Sequence, residues 1–208
     1  MKRAYISCRA YSETKQCLYD MGFTVIELPE SSYPYPAVSS HPDMYMCAAN
    51  NRIIMPENPK SRHYLAQNGV FLDEYFIHNL KYTAPEILTE AKERGLELIN
   101  VKQGYTKCSC AVIDGRSIIT ADKGIISALY RKNIDVLEIE AGHVLLDGFE
   151  YGFIGGACGR VQGCMMFNGD LSSHPDGDRI REFVRSRGIE IFEVKNKPLY
   201  DIGTIFAE

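Results

Sequence analysis

The chain has 208 residues, of which 45% are apolar, enough to bury a sizeable core within one domain. A net charge of -4 with scattered basic residues disfavours nucleic acid and acidic membranes as partners. No apolar run approaches the ~20 residues of a spanning helix, the opening Met1-Lys2-Arg3 run turns polar too soon for a secretory signal, and an odd count of seven cysteines points to reduced thiols in a cytoplasmic protein.

From the start, a segment at Arg3 leads into a helical stretch whose apolar face carries Cys17, Leu18 and Met21. It stops at Gly22, a residue that accepts the left-handed C-cap, and an alternating strand runs to Leu28. Three later segments end in the same phrase, at Gly95 before a strand to Val101, at Asn133 before one to Ile139, and at Gly188 before one to Val194. Their helices carry Ile87, Leu88 and Ala91, then Ile125, Ile126 and Leu129, then Ile180, Phe183 and Val184. The gap from Gly22 to Gly95 is nearly twice the next one, and a short helix near Arg62 to Gln67 followed by Asn68-Gly69 and a strand to Tyr75 supplies a fifth copy there. Pro29 to Ser40 reads as a long loop inside the domain.

Paired strands precede the helices. They are Met44 to Ala48 with Arg52 to Met55 around Asn50-Asn51, Cys108 to Ile113 with Ser117 to Thr120 around Asp114-Gly115, and Gly152 to Ala157 with Cys164 to Phe167. Asp-Gly is a strong hairpin signal. The repeated unit is therefore strand, strand, helix, strand, and a last strand from Gly203 to Ala207 completes the first unit and closes a ring, which removes exposed sheet edges.

Five such ββαβ units, closed by the C-terminal strand, resemble the pentein or guanidino-group-modifying enzyme fold, the α/β propeller of arginine deiminases, amidinotransferases and dimethylarginine hydrolases. The runs His41-Pro42-Asp43-Met44, Cys108 to Arg116 and Gly155-Gly156-Ala157-Cys158-Gly159, in that order, look like a bacterial branch of that fold, spanning residues 1–208 as a single domain. The resemblance implies acidic residues gripping a guanidinium near the axis, a histidine passing protons and a cysteine attacking the guanidinium carbon. Asp43 matches the early acidic residue. The chain departs from the enzymes at its end, where Asp201-Ile-Gly-Thr-Ile-Phe206 has no cysteine.

The chemistry is therefore sought among the remaining motifs. Cys158, among permissive glycines, reads as a nucleophile approached by backbone amides, or else as a small apolar side chain in a tightly packed strand. Ser-Ser-His-Pro-Asp occurs twice, ending at Asp43 and at Asp176, and offers His41 and His174 as proton carriers with Asp43 and Asp176 as cation partners. The second copy also suits a plain helix start. Asp122 opens a helix, as a cap or as a rim carboxylate for a cation. Cys108 and Cys110 read as two thiols on one strand face, but no paired Cys or His spacing supports a metal. The sequence thus points to a protein that binds a small cationic guanidino or amidino ligand, without cofactor, and either reacts with it through a cysteine or serves as a non-catalytic ligand-binding or assembly module.

Overall fold

The computed structural model describes residues 2–49, 52–56 and 63–208. The expected Asn50-Asn51 turn and the start of the helix expected near Arg62 lie outside them, and the described remainder of that helix, residues 64–67, forms turns instead. Among the described residues the strands form five small sheets. Strands β1 (Arg3–Ser7) and β2 (Thr24–Leu28) run parallel on either side of helix α1 (Ser12–Asp20). A short hairpin follows, β3 (Cys47–Ala49) with β4 (Arg52–Ile54).

The next three sheets share one plan, an antiparallel strand pair followed by a helix and a parallel third strand. They are β5 (Val70–Phe71), β6 (Tyr75–His78), α2 (Pro85–Glu93) and β7 (Glu97–Asn100); then, after the single turn α3 (Thr106–Ser109), β8 (Cys110–Asp114), β9 (Ser117–Thr120), α4 (Lys123–Leu129) and β10 (Asp135–Glu138); then β11 (Cys158–Val161), β12 (Cys164–Phe167), α5 (Gly177–Arg185) and β13 (Glu190–Glu193). The last strand, β14 (Phe206–Ala207), pairs antiparallel with β1, setting Tyr5 opposite Phe206. The first sheet thereby acquires the same three-strand plan from the two ends of the chain.

The helices form where the apolar spacing places them, and each buries residues four apart on the face toward its sheet: Thr14 and Leu18, Ile87 and Ala91, Ile125 and Leu129, Ile180 and Val184. Gly22, Gly95 and Gly188 adopt φ of +82°, +69° and +68°, so three of the expected caps are left-handed. Asn133 does not play that part. After α4 it is Arg131 that turns left-handed, two residues earlier.

Three strand expectations need correction. Val70–Phe71 does not end the second unit as a parallel strand; Leu72 donates to the Tyr75 carbonyl across the exposed Asp73-Glu74 turn, which folds the segment into the opening hairpin of the third unit. Cys108 lies in α3, so it and Cys110 do not share a strand face. The fifth unit opens at Cys158 and not at Gly152, because Gly155 and Gly156 fold in a turn whose Cα atoms pack against the Cys110 and Lys107 carbonyls and the Asp201 carboxylate.

Five apolar clusters join neighbouring units in succession. Met46 packs with Tyr5 and Phe206 of the first sheet, Ile54 with Phe76 and Ile87, Ile77 with Ile118 and Ile125, Ile113 with Phe167 and Ile180, and Met166 with Ile6 and Leu18. The last of these returns from the fifth unit to the first. One cavity of about 800 Å³ is lined by a strand of every sheet, at Ala48, Val70, Val112, Gly159 and Phe206, and Lys107 and Thr204 also border it.

Candidate functional site

Each strand lining the central cavity is entered through a connecting loop, and all five loops deliver a polar group to one buried cluster beside Lys107 and Thr204. Pro42 starts a single 3-10 turn over Pro42–Met44 whose fixed backbone buries Asp43 completely. The Asp43 amide is tied to the Gly203 carbonyl at 3.1 Å, so the first connection is anchored on the last. Asn68 is the organiser of the second and third connections. Its Oδ1 accepts from the amides of Lys107 and Cys108 at 2.8 and 3.2 Å, and its Nδ2 donates to the Asp43 carbonyl at 3.2 Å. The fourth connection contributes the Gly155 carbonyl and the fifth contributes Asp201 and Thr204.

At the centre the Cys108 thiol donates to Asp43 Oδ2 at 2.9 Å, and the Thr204 hydroxyl lies 3.0 Å from the same oxygen and 2.9 Å from the Gly155 carbonyl. Lys107 Nζ donates to Thr204 Oγ1 at 3.3 Å. Thr204 has φ +74°, an outlier for a β-branched side chain, and its amide is held by the Gly156 carbonyl at 3.0 Å. Asp201 Oδ2 accepts from the Phe153 amide at 2.8 Å and Oδ1 from the Gly203 amide at 3.0 Å, while His41 Nδ1 lies 3.7 Å from Oδ1, beyond hydrogen-bond reach.

Two polar atoms of this cluster, Asp43 Oδ1 and His41 Nδ1, are buried without a hydrogen-bond partner among the described residues. Most buried polar atoms are paired, so a carboxylate oxygen with no donor is a place for one. Burial raises the Asp43 carboxyl, against the opposing pull of Cys108, Lys107 and Thr204. Burial, with repulsion from Asp43, pushes Asp201 up to about 7. Burial and then the charges of Asp43 and Asp201 raise the Cys108 thiol well above its ordinary range. Burial, helped by Arg9, lowers His41 to about 3, so it is a neutral imidazole. Cys108 shares an apolar cluster with Tyr35 and Tyr105, whose hydroxyls are 2.7 Å apart, and with Phe153.

The residues singled out from the sequence fall in three places. His41 and Asp43 belong to the cluster. Cys158 does not: it opens β11 inside an apolar core with Ile113, Ile154 and Phe167, donates its thiol to the Ile154 carbonyl at 3.1 Å, and is pushed up to about 12 by burial. His174 and Asp122 line a different cavity, and Asp176 is tied to Glu140 of its wall. His174 Nδ1 accepts from the Asp176 amide and Nε2 donates to the Glu140 carbonyl, so both ring nitrogens are committed to backbone. Asp176 stands at the start of α5 without capping it, and its carboxylate accepts from the Glu140 amide at 2.7 Å and pairs with Arg179. Asp43 and Asp176 therefore do not grip one cation between them. Asp122 caps α4 through the Ile125 amide at 2.9 Å and accepts from Gln103 at 2.9 Å.

Sequence reasoning passed over Asn68, Lys107, Asp201 and Thr204, and read Cys108 as part of a strand. One signal could have found them: each stands just before a strand that opens a unit, in the position that His41 and Asp43 occupy before β3.

The model of a family of unknown function, DUF6873, matches residues 59–206. Solved structures of dimethylarginine dimethylaminohydrolase resemble the chain over nearly its whole length. A glycine-for-histidine variant, as an adduct with S-methyl-L-thiocitrulline, is 12% identical with a TM-score of 0.57, covering 93% of this chain and 91% of that one. A serine-for-cysteine variant from Pseudomonas aeruginosa, complexed with citrulline, is 12% identical with a TM-score of 0.56 over the same shares. None of the curated proteins matches. At such identity the likeness establishes a common fold.

Proposed function

The chain belongs to the DUF6873 family, and from that premise, which carries no assigned activity, we propose that the protein binds a small guanidinium or amidinium cation at the Asp43–Asp201 cluster, with Cys108 as the group that reacts with it. The observation that carries this reading is the unpaired Oδ1 of Asp43, a fully buried carboxylate oxygen beside a thiol. A planar cation brings several N–H donors with its charge, which suits a carboxylate in a site closed to water. The five linked sheets are taken here as the blades of a closed propeller, with the cluster at one end of its central cavity.

A bound cation also changes the thiol. Carboxylate charge is among the causes that raise Cys108, and a positive charge between Asp43 and Asp201 offsets it, which lowers the thiol pKa when the ligand is present. In the reaction proposed, Asp43, whose Oδ2 already accepts the thiol hydrogen and whose carboxyl is raised by burial, takes the thiol proton. The sulfur then adds to the central carbon, and the displaced nitrogen leaves as ammonia or an amine carrying that proton. Water splits the remaining carbon–sulfur bond, giving the carbonyl product and restoring the thiol.

A second reading, a binding module without chemistry, is favoured by the raised Cys108 thiol and by Thr204 standing where the last loop has no cysteine. Turnover separates the two. Release of ammonia or amine from a panel of guanidino and amidino compounds is expected from the native protein, lost in Cys108→Ser and retained in Cys158→Ala. Saturable binding with no product from any member of the panel would leave the binding module, and loss of turnover in Cys158→Ala with its fold intact would move the nucleophile to β11.

A further inference from the structure

A second cavity, of about 660 Å³, lies between the fourth and fifth units and shares none of the cluster carboxylates; among its lining residues are Ser109, Gln103, Asp122, Glu140, Phe149 and Tyr151. Its charge is one-sided. Asp122, Glu140 and Glu150 face Lys123 and His143; Lys123 is ion-paired with Glu138, and His143 lies 3.2 Å from Glu140. Acidic residues alone do not make a site. The independent observation is Ser109, only 3% exposed, which lines this cavity and whose hydroxyl has no hydrogen-bond partner among the described residues.

The neighbouring groups are already set for a donor-rich ligand. The two oxygens of Asp122 each accept one hydrogen bond, from Ile125 and from Gln103, and each keeps a second lone pair. His174 closes the wall with both ring nitrogens occupied. The entrance carries Phe149 and Tyr151, 53% and 40% exposed, large aromatic surfaces left uncovered beside carboxylates. A primary ammonium has three donors and no acceptor, and an aromatic or apolar body suits the aromatic entrance.

We propose that this cavity is a binding site for a small organic primary ammonium, with Ser109, Asp122 and Glu140 receiving its three N–H groups and Phe149 and Tyr151 covering its apolar body. The proposal is independent of the reading of the central cluster. Benzylammonium is the probe, with benzyl alcohol and phenylacetate as its neutral and anionic counterparts, titrated into the full chain and followed by amide NMR shifts. Saturable shifts at Gly124, Gly142 and Ser109 are expected with benzylammonium only. Ser109→Ala and Glu140→Gln should each weaken binding roughly five- to tenfold, about 1–1.4 kcal/mol at room temperature, and Asp43→Asn should leave it unchanged. Equal binding of the three probes, binding indifferent to both Ser109→Ala and Glu140→Gln, or loss of binding in Asp43→Asn would each overturn the proposal; in the last case the probe sits in the central cluster.

Discussion

Two cysteines that look alike in sequence have opposite surroundings. Cys158 is a small apolar side chain whose thiol satisfies a carbonyl, whereas Cys108 is bonded to a carboxylate among charged and polar groups. Asp201 sets the pH response at this scale. Its carboxyl is raised to about 7 in the fold against 3.8 unperturbed, so between those values the folded state holds a proton that the unfolded state has lost. Stability from this group therefore falls as pH rises from about 4 to about 7 and is level above. In the proposed function cation binding runs the other way, because the ligand competes with that proton. Affinity for methylguanidinium should rise about tenfold per pH unit up to about pH 7 and then level off, and Asp201→Asn should flatten the profile; titration calorimetry at several pH values reads both. His41 and Asp43 were legible because Pro42 fixes them in one short run. Asp201, Asn68 and Thr204 were not, since their shared place before an opening strand gains meaning only once the five distant loops are seen to meet.

The elements were legible where period and cap agree. All four long helices and the parallel strands after them follow from apolar spacing that ends in a turn residue. The opening strands were harder to place, because cysteine and glycine between Cys108 and Cys110, or between Gly152 and Cys158, carry little strand preference and the backbone there bends to serve the cluster. The helices hold the units to their sheets through side chains buried four residues apart. Ile180 of α5 is fully buried in the largest of the junctions, so Ile180→Ala should lower unfolding stability by about 2–5 kcal/mol. Exposed Arg179→Ala on the same helix should change it by no more than about 0.5 kcal/mol. Urea unfolding of the two variants checks the contrast, and an equal effect would mean that α5 does not anchor the fifth unit.

Across the whole molecule, the apolar junctions run from unit to unit and the fifth leads back to the first, where β14 and β1 also pair. That arrangement gives the central cluster its properties. Each loop is held at both ends by a packed sheet, so polar groups from positions as distant as Asp43 and Thr204 are fixed within hydrogen-bond distance with little room to relax. A buried and partly unpaired set of carboxylates is costly to keep empty of positive charge, and in the proposed function that cost favours binding of the cation. The repeat was readable from the sequence in the four three-stranded sheets, while the second sheet is a hairpin alone among the described residues; the content of the site came only with the meeting of the loops. The most direct test of the central claim is titration calorimetry of methylguanidinium at pH 8 on the native protein and on Asp43→Asn. One saturable site is predicted in the native protein, weakened at least about tenfold when the charged hydrogen-bond partner is lost. Absence of saturable binding to the folded native protein, or equal affinity in Asp43→Asn, would contradict it.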